Sequence, residues 1–184
     1  DAFFQNRMID FGSGAYPVFA DVDNNGTKDI LVGNWGVYDS SNYVGSILHS
    51  YYSSSITLIK NTGTANNPMF EQISADLGNL RQYGLKGLYP AAADIDHDGD
   101  IDLIVGHSDG TLIFLENTAG PGNPMQFGLP VMNYLSIDAG DYSAPQLFDI
   151  DKDGKIDLLI GNRAGKIMYY KNNIHPLIHA DQLE

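Results

Sequence analysis

The chain has 184 residues, enough for one domain and little more, and its 43% hydrophobic and 18% charged residues allow a packed core. Ten basic residues against 23 acidic ones leave a formal net charge of −13, which argues against nucleic acid and anionic membranes as partners because both bind basic surfaces. Cysteine is absent, which excludes disulfides and thiolate metal sites. No apolar run approaches about 18 residues, so the sequence predicts no membrane insertion.

One pattern, P-x-x-x-D-x-D-x-[ND]-G-x-x-D-[IL]-[LI]-[VI]-G, recurs three times along the chain. The copies are YPVFADVDNNGTKDILVGN (16–34), YPAAADIDHDGDIDLIVGH (89–107) and SAPQLFDIDKDGKIDLLIGN (143–162). Asn117 follows Gly106 by 11 residues, whereas Asn61 follows Gly33 by 28, so the first copy carries a 17-residue insertion. The underlying period of about 55 residues indicates stacked copies of one supersecondary unit.

Within each unit the apolar residues alternate or form short runs, which is typical of strands rather than helices. In the first unit the predicted strands are PVFADV (17–22), DILVGN (29–34), ITLIKN (56–61) and the segment after the NP turn. Four antiparallel strands in about 55 residues make an all-β blade of a β-propeller, and a solenoid of β-hairpins is the alternative. Because propellers close with about four to eight blades, three units indicate a segment of a larger propeller.

The repeats divide the chain into four parts. Residues 1–15 are expected to end a preceding blade, or to supply a closing strand at 2–9. They are followed by a blade at 16–88 with an acidic loop at 21–29 and an insertion at 35–55, a blade at 89–143 with a loop at 94–102, and a partial blade at 144–184 with a loop at 149–157 and a C-terminal tail.

The acidic loops have the composition of calcium sites. Side-chain oxygens occur at loop positions 1, 3, 5 and 9, and a glycine at position 6 allows the chain to fold back so that they converge. Such hard oxygen ligands suit Ca²⁺, about one ion per loop. An EF-hand is excluded, since its glutamate at position 12 is replaced by Val32, Val105 and Ile160. A solvated acidic turn is the alternative for any single loop.

These repeats resemble the FG-GAP and VCBS-type repeats of integrin α-subunit propellers and of many secreted bacterial proteins. The resemblance implies a seven-bladed propeller that holds Ca²⁺ between the first two strands of a blade. The FG-GAP letters are not intact, so the chain is closer to the bacterial branch, and integrin partners are not carried over. The ligands that the resemblance implies are Asp21, Asp23, Asn25, Thr27 and Asp29; Asp94, Asp96, Asp98, Asp100 and Asp102; and Asp149, Asp151, Asp153, Lys155 and Asp157. Since a lysine side chain cannot bind Ca²⁺, position 7 is expected to contribute its backbone carbonyl.

Calcium sites of low affinity are occupied only at the high calcium concentrations found outside the cytosol. We therefore expect a secreted or cell-surface protein, or a periplasmic one. No catalytic motif is present, which favours a non-enzymatic role in adhesion or in binding a glycan or protein; part of a polysaccharide-degrading enzyme and a structural spacer are the alternatives. The insertion is the candidate recognition element, and an elongated hairpin that packs its tyrosines on the neighbouring blade is the alternative. Its aromatic residues are Trp35, Tyr38, Tyr43, Tyr51 and Tyr52.

Overall fold

The computed structural model describes residues 9–173 and contains three antiparallel sheets and a separate two-stranded hairpin. The first sheet, in the order β1-β2-β5-β6, consists of Tyr16–Ala20, Asp29–Gly33, Ile56–Asn61 and Phe70–Ser74. The second, in the order β7-β8-β9-β10, consists of Tyr89–Ala93, Asp102–Gly106, Leu112–Leu115 and Val131–Met132. The third, in the order β11-β12-β13, consists of Ala144–Phe148, Asp157–Gly161 and Ile167–Tyr170. The hairpin pairs β3 (Val37–Val44) with β4 (Ile47–Ser53), and two short 3-10 segments lie at Leu77–Tyr83 and Tyr134–Ser136.

The all-β prediction is confirmed, with four strands in each of the first two sheets and three in the last. All sheets within residues 9–173 are open, with free edge strands. The expected strand at 2–9 lies almost wholly outside the described residues, as does the tail after residue 173.

The three sheets begin with the same hairpin. The repeat prolines pair across it with the last apolar residue before the glycine, as Pro17 with Val32, Pro90 with Val105 and Pro145 with Ile160. Because the register is the same, each acidic loop connects the first and second strands and lies at the same end of its sheet.

The hydrophobic core lies between successive sheets. Alternate residues of a strand point to opposite faces, so Leu103 and Val105 pack towards the first sheet while Ile104 packs towards the third. Leu31 of the first sheet belongs to the same buried cluster as Leu103 and Val105, and Leu158 of the third sheet belongs to the same cluster as Ile104. Because β2 and β8 are covered on both faces, every residue in these strands is buried, which explains their continuous apolar sequence.

The outward face of the third sheet is exposed. Phe148, Ile167 and Tyr169 on this face are 66%, 72% and 47% exposed. In the second sheet the equivalent Leu112 and Phe114 are 0% and 3% exposed, since the third sheet covers them. The third sheet therefore presents to solvent the positions that an adjacent sheet covers elsewhere in the chain.

The insertion forms the β3–β4 hairpin and makes its own two-stranded sheet. Tyr38, Tyr43 and Tyr51 are 56%, 71% and 49% exposed, so these rings do not pack on a neighbouring sheet. The insertion thus forms an elongated hairpin with three exposed tyrosines, and Tyr52 is its half-buried tyrosine. Within residues 9–173, no helix is long and apolar enough to cross a membrane.

Candidate metal centre

The three acidic loops share one backbone conformation. Position 4 is left-handed in each loop, with φ of 53° at Asn24, 64° at His97 and 62° at Lys152. The glycine at position 6 has a φ of 84°, 94° and 86° in the same order. Glycine adopts such angles without steric cost, and the two left-handed residues fold each loop back on itself.

This folding brings carboxylates together in every loop. One oxygen from each member of three groups lies within 4.8 Å of the others, the groups being Asp21, Asp23 and Asp29; Asp94, Asp96 and Asp98; and Asp149, Asp151 and Asp153. The aspartate at position 1 also accepts backbone N–H groups from the turn, as Asp21 does from Asn25 at 2.9 Å and from Gly26 at 2.8 Å. The sequence-predicted positions 1 and 3 therefore meet in all three loops, and position 5 joins them in the second and third.

The remaining predicted ligands have other contacts. Asn25 Oδ1 accepts hydrogen bonds from the backbone N–H and the hydroxyl of Thr27, at 2.8 and 2.5 Å. At position 7 of the second loop, Asp100 Oδ2 accepts the Gly120 N–H at 2.7 Å. Lys155 Nζ lies 3.9 Å from Asp153 Oδ2, so this side chain is a cation beside the carboxylates and not a ligand.

The aspartate at position 9 is fully buried in all three loops and binds backbone N–H groups. Asp102 accepts the N–H of Ile95 at 3.2 Å and that of Asn117 at 2.9 Å. Asp29 and Asp157 accept N–H groups from the equivalent residues, namely Val22 and Asn61, and Ile150 and Asn172. Sequence reasoning missed this role, which ties the loop to the end of the third strand, although the repeated asparagine was its visible signal.

Burial makes the charged form of some of the loop carboxylates costly. It raises the pKa of Asp102 to about 7, although the N–H groups of Asn117 and Ile95 counteract part of the effect. Burial is also the main cause of raised pKa values at Asp29, Asp96 and Asp100, and neighbouring aspartates raise them further. In the third loop the contact with Lys171 instead lowers the pKa of Asp151. Where the pKa is raised, desolvation and repulsion favour the protonated form, and a bound cation would favour the charged form.

Lysine side chains reach two of the three groups. Lys60 Nζ lies 2.5 Å from Asp23 Oδ2 in the first loop. Lys171 contacts Asp151 and lies 3.3 Å from Asp153 in the third. The equivalent residue in the second repeat is Glu116, whose charge contributes to the raised pKa of Asp96. Among residues 9–173, no lysine or arginine forms an ion pair with the second group. Its negative charge is therefore the least compensated of the three groups.

The donor set fits calcium. Asp23 Oδ1 and Asp94 Oδ1 are buried and have no hydrogen-bond partner among the described residues, as expected of atoms arranged for a cation. Each group consists of carboxylate oxygens, the hard ligands that Ca²⁺ prefers, whereas zinc favours nitrogen or sulfur donors.

The five aromatic residues predicted for the insertion do not form one site. Tyr38 and Tyr52 make an edge-on contact with ring centroids 5.8 Å apart, and Tyr52 in turn lies 5.8 Å from Trp35. Tyr43 and Tyr51 stay exposed along the hairpin.

Trp35 instead lines an open bowl together with Tyr16, Tyr89 and Tyr142. Sequence reasoning missed these three tyrosines because each belongs to a different repeat. The available signal was an aromatic residue directly before the repeat proline, which occurs as Tyr16 and Tyr89 in the first two copies.

Comparison with known proteins supports the repeat that the sequence predicts in the second and third units. The family model described as an FG-GAP-like repeat matches residues 94–160, from the head of the second acidic loop to the end of the third hairpin. Neither the curated proteins nor the solved structures give a match. Residues 94–160 thus carry an FG-GAP-like repeat, a repeat of the β-propeller type.

Proposed function

We propose that this chain is a calcium-stabilised, non-enzymatic part of a β-propeller in a secreted or cell-surface protein, where it acts in adhesion or in the binding of a ligand. The observation that carries the proposal is the convergence of three carboxylates in each of three loops, which share one conformation. Asp23, Asp96 and Asp151, at loop position 3, would each bind one ion together with the aspartate at position 1.

Calcium would supply stability to the fold rather than chemistry to a reaction. A ligand that binds only the folded state stabilises it by about 2.7 kcal/mol at a hundredfold excess over its dissociation constant. An extracellular location is part of this proposal, because calcium sites with dissociation constants of roughly 10⁻⁴–10⁻³ M are occupied only outside the cytosol.

The exposed face of the third sheet supports the propeller. Ile167 and Tyr169 lie at positions that are covered by the next sheet in the second repeat. We infer that a further sheet of the same kind covers this face in the assembled propeller.

Calcium stoichiometry tests the proposal directly. Titration calorimetry of the full chain is expected to give three bound Ca²⁺ and no comparable binding of Mg²⁺, since Mg²⁺ requires a tighter octahedral site. Asp96→Ala is expected to remove one ion, whereas Asp39→Ala, an exposed aspartate outside the loops, leaves three. Absence of Ca²⁺ binding, or equal loss in both variants, would contradict the assignment.

The missing lysine of the second loop leads to a separate prediction. Glu116→Lys should bring an ammonium group to the second carboxylate group, as Lys60 does in the first. In EDTA this variant is expected to be more stable by about 1 kcal/mol, because an opposite charge relieves the repulsion. Thermal unfolding checks it, with Asp39→Lys as the control of equal charge change; an equal gain in that control would mean that only net charge matters.

A further inference from the structure

An aromatic bowl of about 700 Å³ lies beside the first residues of β1, β7 and β11. This is the end of the sheets opposite the acidic loops, since each loop follows the last residue of the same strands. Tyr16 and Tyr89 line it with their rings 5.5 Å apart and nearly perpendicular, and Trp35 and Tyr142 line it as well. The bowl is open to solvent, so a ligand would lie against the rings rather than be enclosed by them.

Main-chain hydrogen bonds hold the segment after the repeat glycine in the same way in all three repeats, and the first and third of these segments line the bowl. The residue two positions after the repeat glycine donates its N–H to the carbonyl of the residue four positions before the repeat proline. The three pairs are Trp35 to Ser13, Ser108 to Lys86 and Arg163 to Asp141, at 2.8, 2.9 and 2.9 Å. Trp35 and Arg163 are therefore equivalent positions that carry different side chains on one scaffold.

Tyr142 occupies a backbone conformation that favours glycine. The position three residues before the repeat proline has a φ of 63° at Gly14, 65° at Gly87 and 61° at Tyr142. Glycine adopts this angle freely in the first two repeats, whereas a bulky side chain is strained there. Residues in such conformations cluster at ligand-binding and active sites, and Tyr142 lines the bowl.

Arg163 gives the bowl its charge. Its guanidinium carbon lies 5.2 Å from the centre of the Tyr142 ring, and it forms no ion pair with an acidic group in residues 9–173. Among the described residues no carboxylate lines the bowl, although the whole chain has a net charge of −13. The amide of Gln146 donates to the Tyr16 hydroxyl at 2.9 Å and adds polar groups beside the rings.

We propose that the bowl binds an acidic saccharide. A sugar ring has apolar C–H faces that suit the rings of Trp35 and the tyrosines, and hydroxyl groups that suit the phenols at its edge. A carboxylate on that sugar would pair with the Arg163 guanidinium in a charge-assisted contact. The inference rests on the ligand-binding part of the proposed function and does not depend on calcium occupancy.

Trp35 is the only tryptophan in the sequence, so its fluorescence reports on the bowl. The full chain in saturating Ca²⁺ is titrated with cellotetraose and with its C6-oxidised form, cellotetrauronate, two ligands with one backbone that differ in their carboxylates. Saturable quenching by cellotetrauronate, at least tenfold tighter than by cellotetraose, is the expected result. No saturation, or equal affinity for the two ligands, would overturn the proposal.

Two variants and a control separate binding from folding. Tyr142→Gly is expected to weaken cellotetrauronate binding at least tenfold while the thermal midpoint stays equal or rises, because glycine relieves the strained backbone. Arg163→Gln is expected to reduce the affinity to that of cellotetraose, and Leu129→Ala, at an 87% exposed residue that does not line the bowl, to leave it unchanged. Unchanged binding in Tyr142→Gly would overturn the bowl as the site, and equally tight binding of a glutamate tetrapeptide would overturn the saccharide assignment. Calcium binding is measured in a separate titration. Absence of calcium binding would therefore be distinguished from absence of saccharide binding.

Discussion

Removal of calcium with EDTA is expected to lower the free energy of unfolding by about 8 kcal/mol, since each of three loops contributes about 2.7 kcal/mol at a hundredfold excess of Ca²⁺. For a chain of this length the thermal midpoint should fall by about 15–30 °C. The cause is twofold, because the ion stabilises only the folded loops, and because without it the carboxylates that lie close together in each loop repel one another. Differential scanning calorimetry of the full chain measures the shift.

The controls for this experiment are ionic. Millimolar Mg²⁺ should restore little of the lost stability, and NaCl at the same ionic strength should act only through screening. A midpoint that does not change on addition of EDTA, or that Mg²⁺ restores fully, would refute a calcium-specific role and would leave the loops as solvated acidic turns.

Asp102→Ala is expected to destabilise the chain by about 2–5 kcal/mol in calcium and in EDTA alike. The Asp102 carboxylate accepts two buried N–H groups, from Ile95 and Asn117, and each donor left without a partner costs about 1–3 kcal/mol. The cost does not depend on a metal because neither hydrogen bond involves one. Urea unfolding at pH 7, in EDTA and in millimolar Ca²⁺, measures it.

Asp96→Ala is the matched control for that variant. Asp96 lies in the same loop but belongs to the carboxylate group, so its loss should reduce stability only in the presence of Ca²⁺. In EDTA the Asp96→Ala substitution should have little effect or stabilise the chain slightly. It removes a carboxylate whose pKa is raised by burial and by neighbouring carboxylates, which means that its charged form is unfavourable there. If Asp102→Ala were harmful only in calcium, the aspartate at position 9 would act as a ligand alone and not as a structural acceptor.

The sequence predicted the loops well because their chemistry is local. The spacing of Asp94, Asp96 and Asp98 within five residues determines which side chains converge once a glycine allows the turn. The strand pattern was equally readable, since β2 and β8 are short apolar runs covered on both faces.

Features that depend on distant residues left only indirect signals in the sequence. Asn117, the partner of Asp102, follows the third strand of its sheet and lies 15 residues from the aspartate, and only the packing of the strands brings its N–H to the carboxylate. Exposure of Tyr43 on the hairpin depends on the direction in which the insertion leaves its sheet, which no local pattern determines. The bowl escaped notice for the same reason, because Tyr16 and Tyr142 meet only after three sheets have packed.

The main-chain hydrogen bonds at Trp35 and Arg163 hold two bowl positions without help from their side chains. Because a backbone N–H and a backbone carbonyl form each bond, a substitution at either position leaves that bond in place, although a change at Trp35 also removes its ring contact with Tyr52. We therefore expect that a lineage, or a laboratory library randomised at these two codons, can vary the specificity of the bowl on a single backbone framework.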